Sequence, residues 1–198
     1  MMRVESARFV TSISDYKNAN VQDLPQIALV GRSNVGKSSL INVLCGSGKL
    51  AKVSSEPGKT RLINLFLIND AFYLVDLPGY GYARAAGGQK DSWAGMMEGY
   101  LNNNKNLAHI FLLIDIRRDP TPDDSQMSIW IQHFNIPCTI IATKADKIAK
   151  SKRRNYSDKL SDKLGMTFQI PSIDFSSLDG TGKDQLLKRF DEILNPVI

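Results

Sequence analysis

Long hydrophobic runs are missing from this chain of 198 residues. None approaches the ~18 consecutive apolar residues that suggest a membrane span. The strongest, Ile110 to Ile114, has the length of a buried strand. No membrane association is expected. Met1 to Ser14 mixes charged and polar residues without an apolar stretch, so no secretory signal peptide is expected and the chain reads as cytoplasmic. Cysteine is scarce. Cys45 and Cys138 have neither zinc-site nor redox-pair spacing, and read as small buried residues of a reducing compartment. Repeats and low-complexity tracts are absent, which excludes a repeat array and a composition-driven disordered chain.

What is present is an ordinary globular composition, 42 % apolar, with length for one domain and its own core. The net charge of +5 only weakly favours an anionic partner. Its distribution says more. Lys147 to Arg154 holds Lys147, Lys150, Lys152, Arg153 and Arg154 and no acidic residue, so this window alone equals the whole excess. It reads either as the solvated start of a helix or as a face that contacts RNA phosphates.

Short apolar runs alternate with amphipathic stretches, which predicts an α/β fold with a mostly parallel sheet covered by helices. Gln26 to Val30 is the first strand, and a helix runs from about Gly36 to Leu44. Leu62 to Ile68 and Ala71 to Val75 flank Asn69-Asp70, a hairpin signal that places one antiparallel strand in the sheet. Leu107 to Ile114 and Ile136 to Ala142 are buried strands. Between them Thr121-Pro122-Asp123-Asp124 opens a helix: threonine caps, proline suits the first position, and aspartate favours the positive dipole end. A helix over Lys150 to Leu164, a strand around Thr167 to Ile173 and a helix over Gly182 to Leu194 complete the pattern. Gly46 to Thr60 and Tyr80 to Gly95 resist assignment and read as long functional loops. Met1 to Leu24 reads as an extension to a single domain spanning 25–198.

Gly31-Arg-Ser-Asn-Val-Gly-Lys37-Ser38 fits G-x-x-x-x-G-K-[ST], after a predicted strand and at the start of a predicted helix. The glycines let the backbone curl so that N–H groups surround phosphates, and the helix N-terminus adds its positive end. Lys37 is placed to bridge β- and γ-phosphates and Ser38 to ligate Mg²⁺. Asp76-Leu-Pro-Gly79 follows the run Phe72 to Val75, at the ligand side of an α/β sheet. Asp76 can hold a water of Mg²⁺, and the Gly79 N–H can sense a γ-phosphate. Thr143-Lys144-Ala145-Asp146 follows the strand ending at Ala142. The Asp146 carboxylate can accept from guanine N1–H and the exocyclic amine, donors that adenine does not pair in this way, while the Lys144 stem lies over the purine. Phe175-Ser176-Ser177 offers backbone N–H groups to guanine O6. Thr60, in Pro57-Gly58-Lys59-Thr60, is the natural switch threonine.

Gly31 to Asn42, Pro57 to Arg61, Asp76 to Ala83, Thr143 to Asp146 and Ser176 to Gly182, in this order, resemble the bacterial ribosome-assembly GTPases of the EngB (YihA/YsxC) type, within the TrmE–Era–EngA–EngB–Septin-like P-loop GTPases. The resemblance covers nearly the whole chain beyond its first two dozen residues. It implies a Ras-like three-layer fold with a six-stranded mixed sheet, GTP and GDP as ligands, Mg²⁺, a role in maturing the large ribosomal subunit, an association with normal cell division and septation, and a monomer. The expected nucleotide contacts are Gly31, Arg32, Ser33, Asn34, Val35, Gly36, Lys37, Ser38 and Ser39; Gly58, Lys59, Thr60, Arg61 and Leu62; Asp76, Leu77, Pro78 and Gly79; Thr143, Lys144, Ala145 and Asp146; and Phe175, Ser176 and Ser177. Lys37, Thr60, Gly79 and Asn34 are the expected catalytic residues, and Ser38, Thr60 and, through water, Asp76 the metal ligands.

Two departures from the broader GTPase pattern bear on rate and affinity. Thr143 stands where asparagine is commoner. Tyr80 follows Gly79 where Ras-like enzymes carry the glutamine that orients water, so hydrolysis is slow or assisted otherwise. In several relatives an asparagine at the position of Asn34 helps hold K⁺ against the phosphates; a polar loop residue satisfied by neighbouring backbone is the alternative. Two other functions fit parts of the pattern. An ATP-dependent P-loop kinase would lack a use for Thr143 to Asp146. A GTP-sensing RNA-binding module without hydrolysis would be compatible with Tyr80.

Overall fold

A computed structural model of the chain describes residues 2–14, 16, 21–52, 62–81, 89–165 and 171–196. Its elements are β1 (Ala7–Ile13), β2 (Gln26–Gly31), α1 (Lys37–Leu44), β3 (Ile63–Ile68), β4 (Phe72–Asp76), α2 (Gln89–Asn103), β5 (Leu107–Asp115), α3 (Pro122–His133), β6 (Cys138–Thr143), α4 (Lys150–Lys163), β7 (Ile173–Phe175) and α5 (Lys183–Leu194). The strands form one sheet in the order β1-β3-β4-β2-β5-β6-β7. β3 is antiparallel to both β1 and β4, and the remaining pairs are parallel.

The central strands are buried on both faces, so they read as unbroken apolar runs rather than alternating ones. Their residues still divide by period two. Ala28, Val30, Ile110, Leu112 and Ile114 pack with Met97, Tyr100, Met127, Ile131 and Leu160 on one side. Ile27, Leu29, Phe111 and Leu113 pack with Leu40, Ile41, Leu186 and Phe190 on the other. Each fully buried Leu, Ile or Phe contributes roughly 1.5–3 kcal/mol. These two cores make the expected three layers.

Asn69 and Asp70, at φ 52° and 50°, form the tight left-handed turn between β3 and β4, closed by the Ala71 N–H on the Ile68 carbonyl at 2.9 Å, with Ile68 paired to Phe72 across a three-residue connection. At α3, Thr121 accepts from the Asp124 N–H, the Asp124 carboxylate accepts in return from the Thr121 N–H, and Pro122 opens the helix. The sheet has seven strands, close to the expected six. The additional one, β1, lies at the edge, where Phe9 is half exposed and the register slips between Phe9 and Thr11. Such a strand leaves no clear alternation. The stretch from Tyr80 to Gly95 is not all loop, since α2 begins inside it; Gly95 and Gly99 lower its helical signal. The last strand is Ile173–Phe175, later than the reading of 167–173, of which residues 167–170 lie outside the described ones.

Candidate nucleotide-binding site

The C-terminal ends of the parallel strands share one edge of the sheet. Gly31 lies opposite Leu113, Asp76 opposite Leu29, Asp115 opposite Thr143, and Thr143 opposite Phe175. Gly31, Asp76, Thr143 and Ser176 therefore converge although they are spread over the chain.

At Gly31 the chain leaves β2 so close to β5 that a Cβ would lie 2.7 Å from the Leu113 carbonyl oxygen. Gly36, at φ 117°, then turns it into α1. Lys37 begins that helix and is buried, 7 % exposed. Its Nζ donates to the Gly31 carbonyl at 3.4 Å and lies 4.0 Å from Asp76 Oδ1. Asp76 Oδ1 is buried and has no hydrogen-bond partner among the described residues. Burial pulls the Lys37 pKa down, against the attraction of Asp76. Burial likewise pushes Asp76 up, against Lys37 and a hydrogen bond with Asn64. A buried ammonium and a buried carboxylate with an orphaned oxygen suit an anion and a hydrated cation respectively. Carboxylate and hydroxyl oxygens are the donors a hard divalent cation takes, and the half-buried Ser38 is the next residue of α1. The residues present thus fit Mg²⁺ and polyphosphate. Ser39, also half-buried, follows in the same turn.

The turn after β4 presses on the phosphate-binding loop. A Cβ at Gly79 would lie 2.9 Å from the Ser33 nitrogen. Leu77 is fully buried and acts in the core, while the Pro78 carbonyl accepts from the Trp93 indole at 3.0 Å. Val35 is buried under the loop and its carbonyl lies 2.9 Å from Thr143 Oγ1; the Ile114 carbonyl is 3.1 Å from the same hydroxyl. Thr143 thus ties β6 to the loop and to β5, a structural use of the position where asparagine is commoner.

Lys144 adopts φ 59°, and its Nζ donates to the Asn34 carbonyl at 3.1 Å. It also pairs with Asp115 Oδ2 at 3.1 Å. Arg117 holds Asp115 through contacts of 2.9 and 2.7 Å. Burial would raise the Asp115 pKa, but the bonds from Arg117 and Lys144 outweigh it and hold the carboxyl below the usual range. Asp115 escaped the sequence reading. Its position at a strand end, like that of Asp76, was the available signal. Ala145 is buried and opens a 3-10 turn (Ala145–Lys147). Asp146 Oδ1 accepts from Ser176 Oγ at 2.9 Å, and Oδ2 lies 3.2 Å from Lys147 Nζ. Ser176 is fully buried and accepts from the Leu178 N–H at 3.1 Å, while Ser177 is exposed beside it. Phe175 is 2 % exposed and packs in the core. Arg32, Ser33, Asn34, Asp115, Arg118 and Lys144 border a cleft of about 160 Å³ beside the loop. Leu62 is exposed ahead of β3. Gly58, Lys59, Thr60 and Arg61 lie outside the described residues.

The basic segment holds no acidic residue of its own, but acidic residues just outside it pair part of its charge. Lys147 pairs with Asp146, and Arg154 pairs with Asp158 one helical turn on at 3.0 Å. Arg153 donates to the Ile148 carbonyl at 3.0 Å. Lys150 and Lys152 are exposed at the start of α4.

The family model of the 50S ribosome-binding GTPase matches residues 26–144. A probable GTP-binding protein EngB of Alkaliphilus metalliredigens is 48 % identical over 192 residues, 97 % of this chain and 92 % of its own length. The counterpart of Clostridioides difficile is 46 % identical over 98 % of this chain and 94 % of its own length. Among solved structures, a probable GTP-binding protein engB superposes with a TM-score of 0.71 over 87 % of this chain and all of its own; at 24 % identity that likeness concerns the fold. Aquifex aeolicus Era, solved with GDP and AlF4⁻, gives a TM-score of 0.72 at 26 % identity, covering 89 % of this chain and 59 % of Era. With the phosphate-binding loop and the Asp146–Ser176 pair at one edge of this sheet, the chain belongs to the EngB family of GTP-binding proteins, among the 50S ribosome-binding GTPases.

Proposed function

We propose that this protein is a slow GTPase that acts as a molecular switch during assembly of the large ribosomal subunit, as a cytoplasmic monomer, and that normal cell division and septation depend on it. Residues 25–198 are its GTP-binding domain, and the first 24 are an extension that packs on it through β1. The observation that carries the reading is the buried Lys37–Asp76 pair at the strand ends, with Asp146 fixed by Ser176 on the same edge.

The N–H groups from Gly36 to Ser39, where the loop enters α1, face the phosphates, the rest of the loop from Arg32 to Val35 wraps around them, and Lys37 bridges the β- and γ-groups. Ser38, Thr60 and, through water, Asp76 would hold Mg²⁺, which would supply charge neutralisation at the phosphates. The Gly79 N–H meets the γ-phosphate, and Asp146 accepts from the two guanine donors. Asn34 offers a side-chain ligand for K⁺ beside the phosphates. The Tyr80 hydroxyl is committed to Asp124 Oδ1 at 2.6 Å, away from the phosphates, so it orients no water and unassisted turnover is slow. The family description supports a ribosomal partner. Among the described residues, no helix is long and apolar enough to cross a membrane.

The test is cosedimentation with separated ribosomal subunits, with a non-hydrolysable GTP analogue or GDP. Association with the large subunit or its precursor that depends on the nucleotide is expected; equal pelleting with both nucleotides, or with the small subunit only, overturns the switch. The burial of Tyr80 also favours a second reading, a GTP-sensing module with negligible hydrolysis. Phosphate release that stays at background with and without subunits would select it. Competition of ATP with bound fluorescent GDP tests the kinase reading, and none is expected.

A further inference from the structure

The turn Pro78-Gly79-Tyr80 is gripped from two sides. On the side of the phosphate-binding loop, the Ser33 N–H donates to the Tyr80 carbonyl at 3.1 Å, and Arg32 and Tyr80 form an isolated parallel bridge. Gly79 is in such close contact with Ser33 that no side chain fits between them. On the other side, the Tyr80 ring is buried, 5 % exposed, and its hydroxyl donates to Asp124 Oδ1 at 2.6 Å. Trp93 of α2 closes the same turn. Its indole N–H donates to the Pro78 carbonyl, its ring meets Tyr80 edge-on at 5.9 Å, and it stacks on Trp130 of α3.

Asp124 does more here than cap a helix. Its Oδ2 accepts from the Thr121 N–H and hydroxyl, both at 2.7 Å, which completes the capping box. Oδ1 is left for Tyr80, and the carboxylate is only 3 % exposed. Packing against Trp93 needs the ring of residue 80 but not its hydroxyl. Burial, together with the neighbouring Asp124 charge, raises the Tyr80 pKa well above its ordinary value, so the hydroxyl stays a donor. The bond is charge-assisted and buried, the strong class of hydrogen bond. It joins the start of α3 to a residue whose own carbonyl is bonded to the phosphate-binding loop.

We propose that Asp124 and Tyr80 are a positioning pair for γ-phosphate recognition: the carboxylate, acting through the hydroxyl, sets the register of the Gly79 N–H against Ser33. The pair acts through Gly79. It rests on the reading, given under Proposed function, that Gly79 meets the γ-phosphate. GDP does not use that N–H, so loss of the pair falls on GTP selectively. A purely structural role would weaken both nucleotides alike.

Tyr80→Phe keeps the ring and removes only the O–H. Titration with a non-hydrolysable GTP analogue and with GDP should show the ratio of their affinities shifted about tenfold toward GDP, with GDP affinity within about twofold of wild type, the size of one hydrogen bond to a charged group. Gly79→Ala, measured alongside, should shift the same ratio further. Equal loss for both nucleotides in Tyr80→Phe overturns the proposal, and so does an unchanged ratio. If Gly79→Ala also leaves the ratio unchanged, the γ-phosphate reading of Gly79 fails with it; if Gly79→Ala shifts it, only the pair is refuted. Should Tyr80→Phe not fold, Asp124→Asn retains an acceptor oxygen without the charge. It should shift the ratio in the same direction by less, and a folded Asp124→Asn with the wild-type ratio overturns the pair.

Discussion

Ser176 donates its buried hydroxyl to Asp146 Oδ1 at 2.9 Å, which holds the carboxylate still at the end of β6. Asp146 itself is partly exposed, with Lys147 on its other oxygen. A carboxylate fixed in this way is organised for two donors before the base arrives. A site built for hydrogen-bond donors rejects analogues lacking them by roughly 10⁴-fold. Asp146→Asn should therefore lose GTP affinity and gain affinity for xanthosine nucleotides, because an amide donates where the carboxylate accepts. Competition of GTP and XTP against fluorescent GDP measures it, and GTP binding at the wild-type level in the variant would remove Asp146 from base recognition.

Lys37→Ala should abolish tight binding of both GTP and GDP while the far-ultraviolet circular dichroism stays that of the folded domain. Lys37 touches Gly31 and Asp76, while Leu40 and Ile41 carry the contact of α1 with the apolar core. Ser38→Ala should act through Mg²⁺ instead: binding should weaken at low Mg²⁺ and recover as Mg²⁺ rises. Identical Mg²⁺ dependence in wild type and Ser38→Ala would take Ser38 out of the metal's ligand set.

Much of this site is legible in the chain because its chemistry constrains residue type and spacing together. The glycines and Lys37 at a strand–helix junction and Asp146 after a strand are the pattern expected of phosphate and guanine binding, and both signals are local. The central strands are legible because both faces are buried. β1 is not, since an edge strand with Phe9 half exposed and a slipped register carries no period. The first turns of α2 are hidden by glycines. Tyr80 and Asp124 are 44 residues apart, and Asp115 and Lys144 are brought together only by the pairing of β5 with β6. Contacts of that kind have no local pattern to read. The basic segment misled for a different reason: its partners are local but lie just outside the window, Asp146 before it and Asp158 one helical turn after Arg154.

His109, 2 % exposed on β5, gives the fold a pH dependence. Burial, with the positive charge of Arg189 adding to it, lowers its pKa to about 3. Its Nε2 lies 2.9 Å from Thr139 Oγ1. Between the unfolded value near 6.5 and the folded one, the unfolded chain takes up a proton that the folded chain does not. Stability is thus unaffected above the unfolded pKa and falls as pH falls below it, by about 2 kcal/mol at pH 5 from this group. Urea unfolding at pH 7.5 and pH 5 should show the wild type losing more stability than His109→Gln by about that amount. Equal losses in the two proteins would mean that His109 titrates normally in the fold.

Unassisted hydrolysis should be slow. Ras-like enzymes that have the glutamine still turn over at only about 10⁻⁴ to 10⁻³ per second without help, and the Tyr80 hydroxyl is engaged elsewhere. If Asn34 supplies a K⁺ ligand, exchanging Na⁺ for K⁺ should raise phosphate release in the wild type and not in Asn34→Ala. The Asn34 carbonyl that accepts from Lys144 survives that substitution, so nucleotide affinity should hold. Equal rates in the two salts would remove the Asn34 side chain from any K⁺ site.

The pairings within the basic segment decide which of its charges can reach a ribosomal RNA. Arg154 is tied to Asp158, Lys147 to Asp146, and Arg153 to the Ile148 carbonyl and Thr181. Lys150 and Lys152 are exposed in the first turn of α4, a few residues past Asp146. Phosphate contacts release counterions, and each one lost should reduce the slope of log affinity against log salt by about 0.7 to 0.9. Association with the large subunit should weaken steeply from about 50 to about 200 mM salt. Replacing Lys150 and Lys152 together by alanine should flatten that slope by about 1.4 to 1.8 and lower affinity, leaving GTP affinity unchanged because neither residue borders the base or the phosphates. Arg154→Ala, which removes a charge already paired, should leave the slope nearly as it was. A wild-type slope in the double lysine variant would show that this end of α4 is solvated in the complex and that the RNA meets the protein elsewhere.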